Sequence, residues 1–466
     1  MSNPMEAALR KMEQDGASPA AREAFRHAFL RVKAGETGLI PESSLIPVKK
    51  LPTAAEAAIH RATGERALAQ AVILKLNGGL GTSMGLDKAK SLLPVKNGLT
   101  FLDLIARQVL HARKTLGIPL PLLLMNSFST EADTLAALAA YPELAQQATP
   151  LSFLQNRIPK LRADTLEPIS WPADPAKEWC PPGHGDLYAA LAGSGTLARL
   201  LDAGIRYAFI SNADNLGAGL DVDILGFLVA SGAPFLMEAT ERTGADRKGG
   251  HLASRLDGGL LLRESAQCPE HELEQFQDIT HHRYFNTNNL WLDLAALHAF
   301  MQKTGAPPDL PVMINRKTVD PRDPNSPPVL QLETAMGSAL AILPGAQVIE
   351  IPRTRFSPVK TTDDLLTLWS DAYTLGNDAR LLLDPRRNGK PPTVKLDPRH
   401  YKLWPDFSAR FANGAPSLLH CESLTVHGDI TFGEDVKVIG HVTVQPAGSD
   451  PALAEHRALT PTTRTL

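Results

Sequence analysis

Residues 71–85 read Ala71-Val72-Ile73-Leu74-Lys75-Leu76-Asn77-Gly78-Gly79-Leu80-Gly81-Thr82-Ser83-Met84-Gly85. The opening run is almost wholly apolar, the pattern of a strand buried on both faces of a parallel sheet. A glycine-rich loop leaves it at once. Four glycines in the eight residues 78–85 free the backbone for close approaches, and consecutive N–H groups of such a loop can converge on phosphate oxygens. Lys90, five residues beyond, is in reach of the same phosphates as a point charge. The loop is not a P-loop, because no Gly-Lys-Ser/Thr closes it. Nor is it a dinucleotide fingerprint: the GxGxxG spacing is absent and no acidic residue ends the following strand. The plain alternative is a tight glycine turn with no ligand; the strand before it and the lysine after it favour phosphate.

Working outward, Thr100 and Asp103 form a capping-box pattern. The helix that follows carries Leu102, Ile105, Val109 and Ala112 on one face and stops near Gly117. Leu122–Met125 is the next buried strand, and a helix is predicted over Glu131–Ala140. Asp186 is read as the cap of one helix bearing Leu187, Ala190, Leu191, Leu197 and Leu201, ending before Gly204, and Tyr207–Ile210 is again a strand. Strand, loop, helix, strand is the rhythm of an α/β domain with a mainly parallel sheet, whose ligands sit at the carboxyl ends of strands. Before this unit, Met5, Leu9, Met12, Phe25, Phe29 and Val32 predict a helical arm ending at Gly35, Gly38 and Pro41. After it, residues 375–420 read as linker and irregular structure. Then Leu424, Ile430, Val436 and Val442, and in parallel Val426, Phe432, Val438 and Val444, recur every six residues. That period fits a parallel β-helix; a small β-meander also alternates apolar residues. An open coil end tends to be covered by another chain, so homo-oligomers are expected there. Gly448 to Leu466 reads as a tail. The expected units are residues 1–50, 51–380 and 381–466.

The chain has 466 residues, 43% hydrophobic and 21% charged, with a formal net charge of −3 and 6% aromatics. That balance argues against holding nucleic acid by bulk electrostatics, though not against a local basic pocket. Three distant cysteines form no CxxC pair, so a disulfide framework or zinc cluster is not expected. With a charged N-terminus lacking an apolar h-region and no membrane-length apolar run, the chain reads as cytoplasmic, with no membrane partner.

Further segments carry candidate chemistry. Asp214, in Ser211-Asn212-Ala213-Asp214-Asn215-Leu216 at a strand end, suits Mg²⁺ beside a triphosphate, which usually takes one or two carboxylates; an Asx cap is the alternative. In Trp179-Cys180-Pro181-Pro182-Gly183-His184-Gly185-Asp186, Gly183 admits a flat ring or backbone and His184 is placed to bond phosphate or sugar. Asn286 and Asn288 fall on one side of a strand, and paired amides suit sugar hydroxyls. Gln155 offers a donor and an acceptor for a base edge. Glu333, and Lys360 after Ser357-Pro358-Val359, complete the candidates. Asn286, Asn288, Gln155, Glu333 and Lys360 each have a reading as a surface amide or solvated charge, and a lone histidine such as His184 is more often structural than functional.

Together these segments resemble the UTP–glucose-1-phosphate uridylyltransferase (UDP-glucose pyrophosphorylase) family. LNGGLGTSMG at 76–85, PPGHGD at 181–186, SNADNL at 211–216, FNTNNLW at 285–291, ETAMGSA at 333–339 and RFSPVKTT at 355–362 look like its motifs in its order. Ser83-Met84 stands where related N-acetylhexosamine uridylyltransferases usually show Arg-Leu. The resemblance implies a Rossmann-like nucleotidyltransferase domain, here with an N-terminal helical arm and a C-terminal left-handed parallel β-helix. It implies UTP on Leu76, Asn77, Gly78, Gly79, Lys90, Gln155, Gly183, Asp214 and Lys360. Glucose 1-phosphate falls to Gly78, Gly79, His184, Asn212, Ala213, Asp214, Asn286, Asn288 and Glu333, with Mg²⁺ on Asp214. Lys90 and Lys360 are the implied catalytic cations, and Lys248 and Lys317 resemble two further family lysines. Where the family often has Gly-Pro-Lys, this chain has Lys88-Ala89-Lys90, which makes Lys88 a rival to Lys90. The implied reaction is in-line attack of glucose 1-phosphate on the UTP α-phosphorus, giving UDP-glucose and pyrophosphate with no general base. The alternatives are a uridylyltransferase for galactose or N-acetylhexosamine 1-phosphate, and a non-catalytic UDP-sugar-binding protein.

Overall fold

The computed structural model describes residues 3–448, 452–455, 458–460 and 462–465. In chain order the elements that position the site are α1 (Pro4–Gln14), α2 (Pro19–Lys33), β1 (Ala71–Asn77), α3 (Phe101–Leu116), β2 (Leu122–Asn126), β3 (Ser152–Leu154), α4 (Leu187–Gly193), β4 (Tyr207–Asn212), α5 (Val222–Ser231), β5 (Phe235–Glu241), β6 (Tyr284–Asp293), β7 (Gln347–Glu350), α6 (Thr362–Trp369), β8 (Ser417–Val426) and β9 (Lys437–Gln445).

The central sheet runs β3-β2-β1-β4-β6-β5-β7. All of these strands point the same way except β6, which lies antiparallel between β4 and β5. The fold is thus mixed α/β around a mainly parallel sheet. β1 and β2 are buried nearly throughout because helices cover both faces. Ile73 packs with Leu102, Ile105 and Val109 of α3 and with Leu225 of α5. Its neighbours Val72 and Leu74 point the other way, into a second core with Leu187 and Leu191 of α4. Alternation along a strand produces both cores from one run of sequence. The Thr100–Asp103 capping box forms, and Gly117 ends α3 in the left-handed region at φ 65°. α1 and α2 pack Leu9, Met12, Phe25 and Phe29 against Ile158, which pairs with Cys180, and against Leu330 and Leu332 of a small antiparallel sheet made from Leu161–Arg162, Pro328–Thr334 and Val312–Thr318.

Three expectations need correction. Asp186 does not cap a long helix: its side chain makes no cap bond, and the helix breaks after Gly193, with a second one over Thr196–Asp202. Its buried carboxylate instead accepts the backbone N–H of Asn156 at 2.7 Å and the Asn156 Nδ2 at 2.9 Å. Residues 375–420 are more than a linker. They fold two short helices, Pro398–Tyr401 and Trp404–Arg410, whose Trp404 and Phe407 meet Trp369 of α6 edge to face. The expected tail also supplies strands: Ala452–Ala454 pairs in parallel with Ile430–Phe432, and Ala458–Leu459 and Thr462–Thr465 pair in parallel with β9. Residues 449–451, 456, 457, 461 and 466 of that stretch lie outside the described residues.

β8 and β9 are parallel, with Leu424 opposite Val442 and Val426 opposite Val444, and Thr393–Lys395 adds in parallel to β8. A hairpin meander would pair its strands antiparallel. Both six-residue series are buried along their full length. Among the described residues, no helix is long and apolar enough to cross a membrane.

Candidate active site

Four chain segments meet at the carboxyl ends of β1, β3 and β4. The glycine loop leaves β1 and folds back on itself. The Lys90 N–H donates to the Gly79 carbonyl at 3.1 Å, and Leu80 bridges to Ala89. This return carries Lys90 across the cleft, where its ammonium donates to Asp214 Oδ2 at 2.6 Å and to the Val359 carbonyl at 2.5 Å. Lys88 stays exposed, so the lysine facing the cleft is Lys90.

The turn after β4 is seated beside the loop. Asn212 pairs in register with Leu76, and the Ala213 N–H donates to the Leu76 carbonyl at 3.0 Å. The Val359 N–H donates to the Asp214 carbonyl at 3.3 Å, which sets Lys360 directly after the contact. The Lys360 and Thr361 N–H groups donate to Asp364 at the start of α6, while the Lys360 side chain is exposed. Its charge lowers the pKa of Glu264, offsetting part of the larger rise that burial causes there. Asp214 Oδ1 is buried with no hydrogen-bond partner. One free carboxylate oxygen at the mouth of a glycine loop is a donor that fits Mg²⁺, which fills its remaining positions with phosphate oxygens and water.

The opposite wall holds Gln155 and the 181–186 segment. A Cβ at Gly78 would sit 2.7 Å from Gln155 Oε1, so a side chain there would shift that amide from where it lies against the loop. Gln155 Nε2 donates to the Gly183 carbonyl at 3.0 Å. Gly183 has φ 80°, and a Cβ there would meet the Thr334 carbonyl at 2.5 Å. The close approach that needs this glycine is therefore to the backbone of the neighbouring strand, beside Glu333. His184 Nδ1 accepts the Met336 N–H at 3.0 Å, and burial lowers the imidazole to about 4. A neutral ring that accepts on Nδ1 carries its proton on Nε2, which makes it a donor.

Other candidates are placed differently. The Asn77 side chain is turned inward, donating to Asn126 Oδ1 and Thr134 Oγ1, so only its backbone faces the loop. Asn286 and Asn288 bond each other at 2.8 Å across a bulge in β6, where Asn288 takes φ 58°. Glu333 is raised mainly by burial, with Asn315 and Lys317 acting against that rise. Lys317 and Lys248 are exposed, Lys248 in the loop before His251.

Sequence reasoning missed a buried polar layer under the cleft. Lys75 of β1 is buried, donates to Ser211 Oγ at 2.7 Å and to the Ala218 carbonyl at 3.0 Å, and is lowered to about 7, chiefly by desolvation. Glu238 of β5 is buried and holds Arg355 at 2.6 Å, with Trp291 Nε1 on the same oxygen at 2.9 Å. A lysine inside an otherwise apolar strand was the one signal of this layer in the sequence. Among the described residues, Glu42, His281 and His282 also cluster as a metal site would, but the buried Arg263 already neutralises Glu42 at 2.6 Å.

A family profile described as UTP–glucose-1-phosphate uridylyltransferase matches residues 23–438. A protein of that name from Saccharomyces cerevisiae is 41% identical over 378 residues, 81% of this chain and 74% of the relative. Another from Solanum tuberosum is 39% identical over 408 residues, 87% and 81% of the two chains. A crystal structure of a UDP-glucose pyrophosphorylase variant from Leishmania major with UDP-glucose is similar over the whole of both chains, at 44% identity and TM-score 0.93. A Trypanosoma brucei structure is similar over the same span, at 45% identity and TM-score 0.90.

Proposed function

We propose, because the chain belongs to the UTP–glucose-1-phosphate uridylyltransferase family, that UTP and glucose 1-phosphate meet in the cleft between Lys90, Asp214 and Lys360. The chain is a nucleotidyltransferase that makes UDP-glucose and pyrophosphate. A phosphate oxygen of glucose 1-phosphate attacks the α-phosphorus in line as the bond to pyrophosphate breaks. A sugar phosphate is ionised at neutral pH, so no general base is assigned and catalysis is positioning and charge stabilisation.

The backbone from Leu76 to Gly79 receives the UTP phosphates, and Gln155 with Gly183 reads the uracil. His184 donates from Nε2 to glucose 1-phosphate. Asn212, Ala213, Asn286, Asn288 and Glu333 hold the sugar side. Lys90 and Lys360 oppose the charge growing on the α-phosphate and the leaving group. Mg²⁺, held through the free Asp214 Oδ1, would supply positive charge beside the α-phosphate. The observation that carries this reading is the Lys90–Asp214 pair at 2.6 Å, on the turn that hydrogen-bonds Val359.

The finer structural reading divides the chain at 1–50, 51–380 and 381–466, the last ending in a left-handed parallel β-helix. It rests on the six-residue spacing and the parallel pairings, with homo-oligomers formed at the end of the coil. Three buried, unpaired thiols support a cytoplasmic setting.

The test mixes the protein, UTP and Mg²⁺ with glucose, galactose or N-acetylglucosamine 1-phosphate and follows pyrophosphate release. Glucose 1-phosphate should be turned over fastest. Faster release with another sugar reassigns the substrate, and UDP-glucose binding without any release defeats the catalytic reading.

A further inference from the structure

The catalytic geometry places Asp214 and Lys360 on segments far apart in sequence, joined beside the site by the Val359 N–H on the Asp214 carbonyl. We propose that Asn215 is a positioning residue that locks the Asp214 turn onto residues 355–360 and so sets the spacing between Asp214 and Lys360. This rests on the uridylyltransferase reading and deepens it.

Asn215 is 2% exposed, and both ends of its amide are used. Its Oδ1 accepts the Ser357 N–H at 2.9 Å, and its Nδ2 donates to the Arg355 carbonyl at 3.2 Å and to Asn289 Oδ1 at 3.1 Å. One side chain thereby grips the backbone on both sides of Phe356, and Asn215 itself bridges to Pro358. Asn289, fully buried on β6, repeats the grip: its Nδ2 donates to the Arg355 carbonyl at 3.3 Å and to Glu238 Oε2 at 2.9 Å. Glu238 also binds the Arg355 guanidinium, through Nη2 at 2.6 Å and Nε at 3.0 Å. The side chain and the carbonyl of Arg355 are therefore both fixed to the sheet, through β5 and β6, and Asn215 transfers that fixed point to the Asp214 turn.

The chemistry explains the residue type. A primary amide presents a donor and an acceptor in one plane, matching a carbonyl and an N–H two residues apart. Alanine leaves both backbone groups buried without this partner. Aspartate keeps the acceptor for Ser357 but faces the Arg355 carbonyl with a second acceptor, and an unmet buried polar group is costly. With its amide spent on these partners, Asn215 acts through the segments it joins, so its loss should misplace Lys360 without removing a binding contact.

The test is a double-variant cycle with saturating UTP, glucose 1-phosphate and Mg²⁺, run on wild type, Asn215→Ala, Lys360→Ala and the double variant. Asn215→Ala should lower kcat by about tenfold to a hundredfold, the cost typical of a misplacement of about 1 Å, while KM for each substrate stays within about threefold. In the Lys360→Ala background the same change should have little further effect, because its effect runs through Lys360. An unchanged kcat in Asn215→Ala overturns the proposal. Full multiplication of the two losses also overturns it, since a general weakening of the fold would add independently. Lys360→Ala alone reports on the role of Lys360, so failure of that assignment is seen separately and removes the proposal with it. If Asn215→Ala does not fold, Asn215→Asp is used in its place. Failure of both to fold makes Asn215 a residue of the fold and overturns the positioning role.

Discussion

The carboxyl end of the central sheet and the C-terminal parallel strands β8 and β9 are built by opposite rules. In the C-terminal strands the decisive side chains are apolar and spaced by six along one stretch, and the parallel pairing sets Leu424 opposite Val442 and Val426 opposite Val444. At the sheet end the decisive groups are polar and come from scattered positions: Lys90, Gln155, His184, Asp214 and Lys360. They are fixed by hydrogen bonds that span up to 269 residues, as Lys90 to Val359 does. A repeat carries its own geometry in its local sequence, whereas a site carries its residue types locally and its geometry only through the whole fold.

That contrast predicts which substitutions act on rate and which on stability. The largest effect should come from Lys360→Ala. Losing one stabilising contact to developing charge costs about 2.7–4 kcal/mol of barrier, so kcat should fall at least about a hundredfold. Because the side chain is exposed, the Tm should hold. A steady-state assay and a melting curve on the same preparation decide it, and a variant within about a factor of three of wild type would take Lys360 out of the chemistry.

Ile430→Val should act on the other side of the contrast. Ile430 is fully buried in the strand Ile430–Phe432, and removing one methylene there should cost about 0.5–1.5 kcal/mol of stability. Urea titration measures the loss, with kcat expected to stay at the wild-type value. A parallel fall in kcat would break the comparison, because it would make the C-terminal strands and the cleft one mechanical unit through Trp369, Trp404 and Phe407.

How much of this was legible in the sequence follows the same division. The β1 strand, its glycine loop and the Thr100–Asp103 box are local patterns that took the form their residues required, and both six-residue series are buried, with β8 and β9 paired in parallel. Asp186 was misread because a carboxylate just ahead of an apolar helical face looks like a cap. Its actual partner, Asn156, lies thirty residues upstream, where no local pattern points. The Glu238–Arg355–Asn289–Asn215 layer was invisible for the same reason: its members come from β5, β6 and two loops, and each alone reads as a surface polar residue. The strands after Gly448 were missed because they lack the six-residue apolar spacing of the strands before them. Their backbones complete a ladder whose pattern is written in the neighbouring strand.

The smallest expected effect on rate sharpens the contrast further. His184 has its Nδ1 committed to the Met336 N–H, and burial holds it at about 4, so it stays neutral at every pH where the enzyme would be assayed. The rate profile between about pH 6 and 8 should therefore show no inflection from this imidazole, and an inflection that vanishes in His184→Gln would refute the assignment. Stability should still respond. The folded value lies below the unfolded imidazole value of about 6.5, so between the two the unfolded chain binds more protons. The contribution of His184 is then complete above about pH 6.5 and is lost as the pH falls through about 4. Urea titrations of wild type and His184→Gln across that window should show a flatter dependence in the variant. Among the C-terminal strands burial pushes the Cys421 thiol up to about 12, so it remains uncharged throughout, while the half-buried Asp429 is held below its ordinary range chiefly by its hydrogen bond to Arg410, so its stabilising contribution there is lost as the pH falls into the acid range.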